Sequence, residues 1–155
     1  MNAAPKQGDA DGFASAFAGG AIRKELGLES IDLNAGLMIA RNHLKRGAFL
    51  EAMRTYVALV LCEPTNAEFQ IGLANCALQM EEYHLALQAA SAVVAMAPRD
   101  PRGYFLSGRA CLALGHHAEA AEDLQDAIDK GRQSQDAVIV NEATQILQKL
   151  TARQA

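Results

Sequence analysis

The sequence predicts an all-α fold: a helical solenoid of three stacked helix pairs, with a short helical lead before them and a capping helix after. Three observations carry this reading. Half of the 155 residues are apolar, yet aromatic residues make up only 5% and tryptophan is absent. The apolar content therefore rests on alanine and leucine, which favour close-packed helices over sheets. Pro64 and Pro98 lie 34 residues apart, each closing an alanine- and leucine-rich run. Stepping by the same interval aligns Ala52 with Ala86 and Ala120, Ala40 with Ala74 and Gly108, and Leu59 with Val93 and Ala127.

Each element follows in order. Residues 1–20 are expected to form a flexible tail, and 21–33 a helical lead built on AIRKELGLESI at 21–31. Three repeats occupy 34–66, 67–100 and 101–132. Their helices are predicted at 34–46, 49–62, 67–80, 83–96, 101–114 and 117–130. The small residues of the aligned columns let neighbouring helices approach closely, and each proline ends a second helix because it cannot continue the turn. Gly47 and Gly115 mark tight turns inside the first and third repeats, where the second has Glu81-Glu82. Residues 133–155 form the cap. Its helix, predicted at 135–151, alternates Val138, Ile139, Ala143, Ile146, Leu147 and Leu150 with polar residues, as covering an exposed apolar end requires.

The period and the columns match the tetratricopeptide pattern W-x2-L-G-x2-Y, A-x3-F, P. The third unit meets its opening with Tyr104, Ser107, Gly108 and Cys111. The first meets its second half with Ala52, Tyr56 and Pro64, and the second supplies Leu73, Ala74, Ala86 and Pro98. Ser107 and Ala90 depart from the large apolar residues of the pattern.

Composition narrows the function classes. Fourteen basic residues against 18 acidic ones give a net charge of −4, so no concentrated positive face for nucleic acid is expected. The N-terminus has acidic residues where a signal peptide would be apolar, and ALQAASAVVAMA is too short to span a membrane. A soluble, cytoplasmic protein is expected, with Cys62, Cys76 and Cys111 as free thiols in a reducing setting. The stretch CLALGHHAEAAEDL, from Cys111 to Leu124, brings a cysteine and two histidines together. The repeat explains them: His117 stands in the column of Phe49 and Tyr83, and His116 in the turn between paired helices. The paired ligand spacings of a structural metal site are missing, and His43 and His84 do not supply them. No metal, no cofactor and no catalytic constellation is expected; FAGGA lacks the lysine and spacing of a phosphate loop.

The first helices of such a stack line its inner surface. At 100° per residue, Asn34, Leu37, Arg41 and Leu44 share one side of the first, opposite the packing residues Gly36, Ile39, Ala40 and His43. The same construction gives Glu68, Ile71, Asn75 and Leu78 in the second repeat, and Arg102, Phe105, Arg109 and Leu112 in the third. Apolar side chains alternating with long polar ones suit an extended peptide: pockets take its side chains while Asn75 and the arginines hydrogen-bond its backbone. The other reading of the row makes the leucines ordinary core and the arginines solubilising groups.

With three repeats, a lead and a cap, residues 21–150 resemble the tetratricopeptide chaperones of bacterial type III secretion that escort translocator proteins. The resemblance is carried by GAFLEAMRTYVALVLCEPTNAEFQIGLANCALQMEEYHLAL and DPRGYFLSGRACLALGHHAEAAEDL. Within them stand Asp100-Pro101, Tyr104-Phe105 and the segment from Cys111 to Gly115. It implies a non-enzymatic bacterial chaperone that holds an extended segment of a hydrophobic secreted translocator in the groove. It also implies a homodimer joined through residues 21–33, with no nucleic acid partner and no membrane insertion. Two alternatives from the residues are a scaffold in a secretion, pilus or envelope assembly, and an adaptor clamping the C-terminal carboxylate of a heat-shock chaperone. For the adaptor, Leu37 and Gly72 stand where polar groups are needed.

Overall fold

The computed structural model describes residues 21–154; the expected tail, 1–20, lies outside the described residues. Within them every regular element is an α-helix: α1 (Ala21–Glu25), α2 (Ser30–Lys45), α3 (Phe49–Cys62), α4 (Ala67–Gln79), α5 (Tyr83–Met96), α6 (Pro101–Ala113), α7 (His117–Ser134) and α8 (Ala137–Gln154). Each helix packs on the next from α2 to α8, and the first helices of successive pairs also touch, α2 with α4 and α4 with α6.

The turn inside each pair is built the same way three times. Gly47, Glu81 and Gly115 all take the left-handed conformation, with φ of 75°, 62° and 81°. The next amide reaches back five residues to close the helix: Ala48 N–H to His43 O at 2.9 Å, Glu82 to Ala77 at 2.8 Å, His116 to Cys111 at 2.9 Å. This is the Schellman closure, which satisfies carbonyls the helix end would leave orphaned. Glu81 adopts it without being glycine, so it carries strain that its two counterparts avoid. Relief of about 1–2 kcal/mol is partly offset by the greater freedom of an unfolded glycine, about 0.5–1 kcal/mol. Glu81→Gly is therefore expected to stabilise the chain by about 0.5–1 kcal/mol. A urea midpoint that falls in the variant would refute the strain argument.

Three helices, α4, α6 and α8, start at side-chain caps. Asn66 Oδ1 accepts from the amides of Glu68 and Phe69 at 3.1 and 3.4 Å. Asp100 Oδ1 accepts from Arg102 N–H at 2.9 Å, with Pro101 in the first helical position, where its missing N–H is harmless. Asp136 Oδ1 accepts from Ile139 N–H at 3.1 Å and opens α8.

The core follows the aligned columns. Ala52, Ala86 and Ala120 are fully buried, as are Ala40 and Ala74, and Leu59, Val93 and Ala127 are buried with them. One cluster runs from Leu33 through Tyr56, Phe69 and Val93 to Leu106. Another joins Phe105, Leu124, Ala127 and Ile128 to Ala143 of the last helix, with Ile139, Val140, Ile146 and Leu147 packed around it. Gly131 lets α8 approach: a Cβ there would lie 2.8 Å from Val140 Cγ2.

Several boundaries differ from the sequence reading. The lead helix is only five residues long, and α2 begins at Ser30 rather than at 34. The cause is local. Asp32 Oδ2 accepts the Glu29 amide at 2.7 Å, and Arg23 ties the lead down by donating to Leu28 O at 3.2 Å and Ser30 Oγ at 2.7 Å. At the other end α7 runs to Ser134, because the third repeat has no proline after its second helix; Gln135, with φ 60°, closes it instead. Ile39, expected to pack, is exposed, because none of the described elements covers that side of α2 as a second helix does in the later repeats.

A candidate peptide groove on the first helices

The candidate row lies on α2, α4 and α6, the first helices of the three pairs. Its members are not equivalent. Asn34 and Arg41 are exposed; Leu37, Leu44, Glu68, Asn75, Leu78, Arg102, Arg109 and Leu112 are half-buried. Ile71 and Phe105 sit in the core, at 7% and 6% exposure. Ile71 belongs to the large cluster and Phe105 packs with Leu124 and Ile128, so the apolar lining left to a ligand is chiefly leucine.

The structure draws three row residues together through one carboxylate. Glu68 Oε2 accepts from Arg41 Nη2 at 3.0 Å and Glu68 Oε1 from Arg102 Nη2 at 2.7 Å. Arg102 also grips Asp100: Nη2 to Oδ2 at 2.7 Å, and Nε to Oδ1 at 3.0 Å and Oδ2 at 3.1 Å. A charge ladder thus crosses all three repeats. Burial pushes the Asp100 carboxyl up, but the side-chain and backbone hydrogen bonds from Arg102 outweigh it and hold it below the usual carboxylate range. Hydrogen bonding to Asp100, opposed by partial burial and aided by Glu68, raises Arg102 above its ordinary value. These groups are too exposed for the ladder to add much stability.

Asn75 spends its amide on its own helix, Nδ2 donating to Ile71 O at 3.1 Å. Arg109 lies over the Phe105 ring, 5.6 Å from its centroid. The donors expected to reach a bound backbone are thus largely engaged at Arg41, Asn75 and Arg102.

Two features escaped the sequence reading. Glu68 and Arg102 are one repeat apart and of opposite charge, a signal that could have foretold their pairing. Ser107, a departure from the repeat pattern, is buried and donates to Asp123 Oδ2 at 2.6 Å. Burial raises the Asp123 carboxyl, the Ser107 bond pulls it back, and repulsion from Asp126, Glu122 and Glu119 adds to the rise. The three cysteines are free and buried, and burial pushes the Cys76 thiol up to about 11. Among the described residues no three His, Cys, Asp or Glu side chains converge as a metal site would need, and no helix is long and apolar enough to cross a membrane.

A tetratricopeptide repeat family model matches residues 77–137. Cellulose synthase operon protein C of Pseudomonas fluorescens (strain SBW25) is 34% identical over 90 residues, 58% of this chain, which spans only 7% of that protein's length. Among solved structures, a type III secretion complex from Aeromonas hydrophila aligns with TM-score 0.82 at 19% identity, covering 96% of this chain and 98% of its own. PcrH, from Pseudomonas aeruginosa, in complex with the chaperone binding region of PopD, aligns at 0.79 with 24% identity over 83% of this chain and 98% of its own. The Yersinia enterocolitica translocator chaperone SycD gives 0.75 at 23% identity over 83% and 96%. Repeat match, helix pairing and these alignments agree: the chain has the tetratricopeptide-repeat fold, in the architecture on which the translocator chaperones of type III secretion are built.

Proposed function

We propose that the chain is a cytoplasmic, non-catalytic chaperone that holds an extended segment of a hydrophobic secreted translocator along α2, α4 and α6. In this reading residues 21–33 are the lead, 34–66, 67–100 and 101–132 the repeats, and 133–155 the cap. The observation that carries it is the run of half-buried leucines, Leu37, Leu44, Leu78 and Leu112, along three adjoining first helices. It is supported by the similar structures named as complexes with segments of PopD, PopB and YopD. A homodimer through the N-terminal region belongs to the same reading. It is supported by the exposed Leu26 and Ile31 of the lead and by a SycD structure described as an alternative dimer.

The test must spare the core. Phe105→Ala would cost about 3–5 kcal/mol of folding stability, which makes it a poor probe of binding. Leu78→Asp with Leu112→Asp puts two charges where the groove needs apolar lining. Co-expressed with a neighbouring hydrophobic secreted protein, the double variant is expected to leave at least about tenfold less of it soluble than the unmodified chain. Equal solubility from a variant that still melts as a folded helical protein would show that this face does not hold the client.

The match to part of a cellulose synthase operon protein favours a second reading: a tetratricopeptide scaffold within a larger assembly. There the double variant would keep its partner, and substitutions on the outer faces of α7 and α8 would lose it.

A further inference from the structure

The cations of the row divide into two kinds. Arg41 and Arg102 are already neutralised, sharing Glu68 between them, and Arg102 has Asp100 as well. Arg109 is different: among the described residues no carboxylate pairs with it, and its contact is the face of Phe105, 5.6 Å away. Phe105 is held in the core by Leu124 and Ile128, so the ring is a fixed platform. A guanidinium laid over an aromatic ring loses part of its hydration and rotamer freedom while keeping its in-plane N–H donors for a planar oxygen pair. Half-buried Leu112, one turn further along α6, frames it on the same side. The result is a pre-positioned, un-neutralised cation in an apolar frame, at the third-repeat end of the row.

Resting on the groove reading above, we infer that the bound segment carries one carboxylate side chain, an aspartate or glutamate among apolar residues, and that Arg109 selects it. A bidentate arginine–carboxylate pair supplies both attraction and register, where the leucines supply only area. The preference is for a single carboxylate and not for an acidic segment. The chain's net charge of −4 disfavours further negative charge, and Arg41 and Arg102, already paired with Glu68 and Asp100, offer no second free cation to hold it.

The experiment uses the full chain and fluorescein-labelled twelve-residue peptides of leucine, alanine and serine, with a glutamate, or a glutamine in its place, walked through every position. Fluorescence anisotropy gives the ratio of the two affinities at each position. At one register the glutamate peptide is expected to bind about fivefold more tightly than its glutamine twin, a partly exposed ion pair being worth about that much. Arg109→Lys should keep part of that ratio, and Arg109→Met should bring it to one. A ratio of one at every position in the unmodified chain, or a preference that survives Arg109→Met, overturns the inference while leaving the groove standing. If none of the peptides binds the unmodified chain, the groove reading falls and the role of Arg109 falls with it.

Discussion

Gly72→Ala is expected to destabilise the chain by about 3 kcal/mol, the largest loss we anticipate from adding one methyl group. Gly72 lies on α4 where it crosses α3, and a Cβ there would fall within the ring of Tyr56. Tyr56 has no room to yield. It is among the largest fully buried side chains and is packed in the cluster that joins the first two repeats. Either the two helices separate, losing contacts along their whole crossing, or the ring leaves its place and opens a cavity. Both outcomes cost about 3–5 kcal/mol. Alanine's better helix propensity returns only about 1 kcal/mol.

The other crossings are looser. The same methyl would stand 3.0 Å from Val93 Cγ1 at Gly103, and 2.9 Å from Leu124 Cγ at Gly108. Backbone is near as well, Val94 N at 3.1 Å from the first and Ala120 O at 3.3 Å from the second, but these contacts need only tenths of an ångström of adjustment where Gly72 would overlap a ring, so smaller losses follow there. Urea unfolding followed by circular dichroism measures the effect. A loss under 1 kcal/mol for Gly72→Ala would mean that the α3–α4 crossing is not the close contact described above.

The repeat was legible because its signals are local and recur. Prolines, small residues and turn glycines each do one physical job at a fixed offset, and Ala52, Ala86 and Ala120 announce burial by periodicity alone. Contacts between repeats were less visible. Glu68 was assigned to the row for its position on a helix face. That both its oxygens are taken by arginines from the flanking repeats depends on how closely α2, α4 and α6 approach, which no single helix reveals. Ser107 broke the pattern for a reason its own helix does not contain, an aspartate 16 residues on, across the helix pair. Phe105 illustrates the same gap: its angular position put it in the groove, and the cap helix, whose Ala143 packs into the same cluster, makes it core. Glu81 shows the reverse, a position where the sequence departs from glycine and the backbone keeps the glycine conformation regardless.

On the proposed homodimer, with its contact extended from residues 21–33 along the open face of α2, Met38→Glu with Ile39→Glu is expected to give a monomer, weakening self-association by at least about 100-fold. One repeat on from Met38 and Ile39 stand Gly72 and Leu73, and one further, Leu106 and Ser107. All four later residues are buried, and Gly72 meets Tyr56 of the preceding second helix. In the first repeat the same face is open: Met38 is 66% and Ile39 52% exposed, with Ile31 of the lead beside them on α2 at 74%. A second copy presenting the same surface would cover this face symmetrically, as a two-fold contact does. Each protomer would then have to bury two glutamates without partners. Because both side chains are exposed in a single chain, the variant should keep its melting temperature when both proteins are compared as monomers at high dilution. Light scattering coupled to size exclusion should give twice 16.5 kDa for the unmodified chain and 16.5 kDa for the variant. An unmodified chain that elutes as a monomer at tens of micromolar would show that the open face serves no self-association.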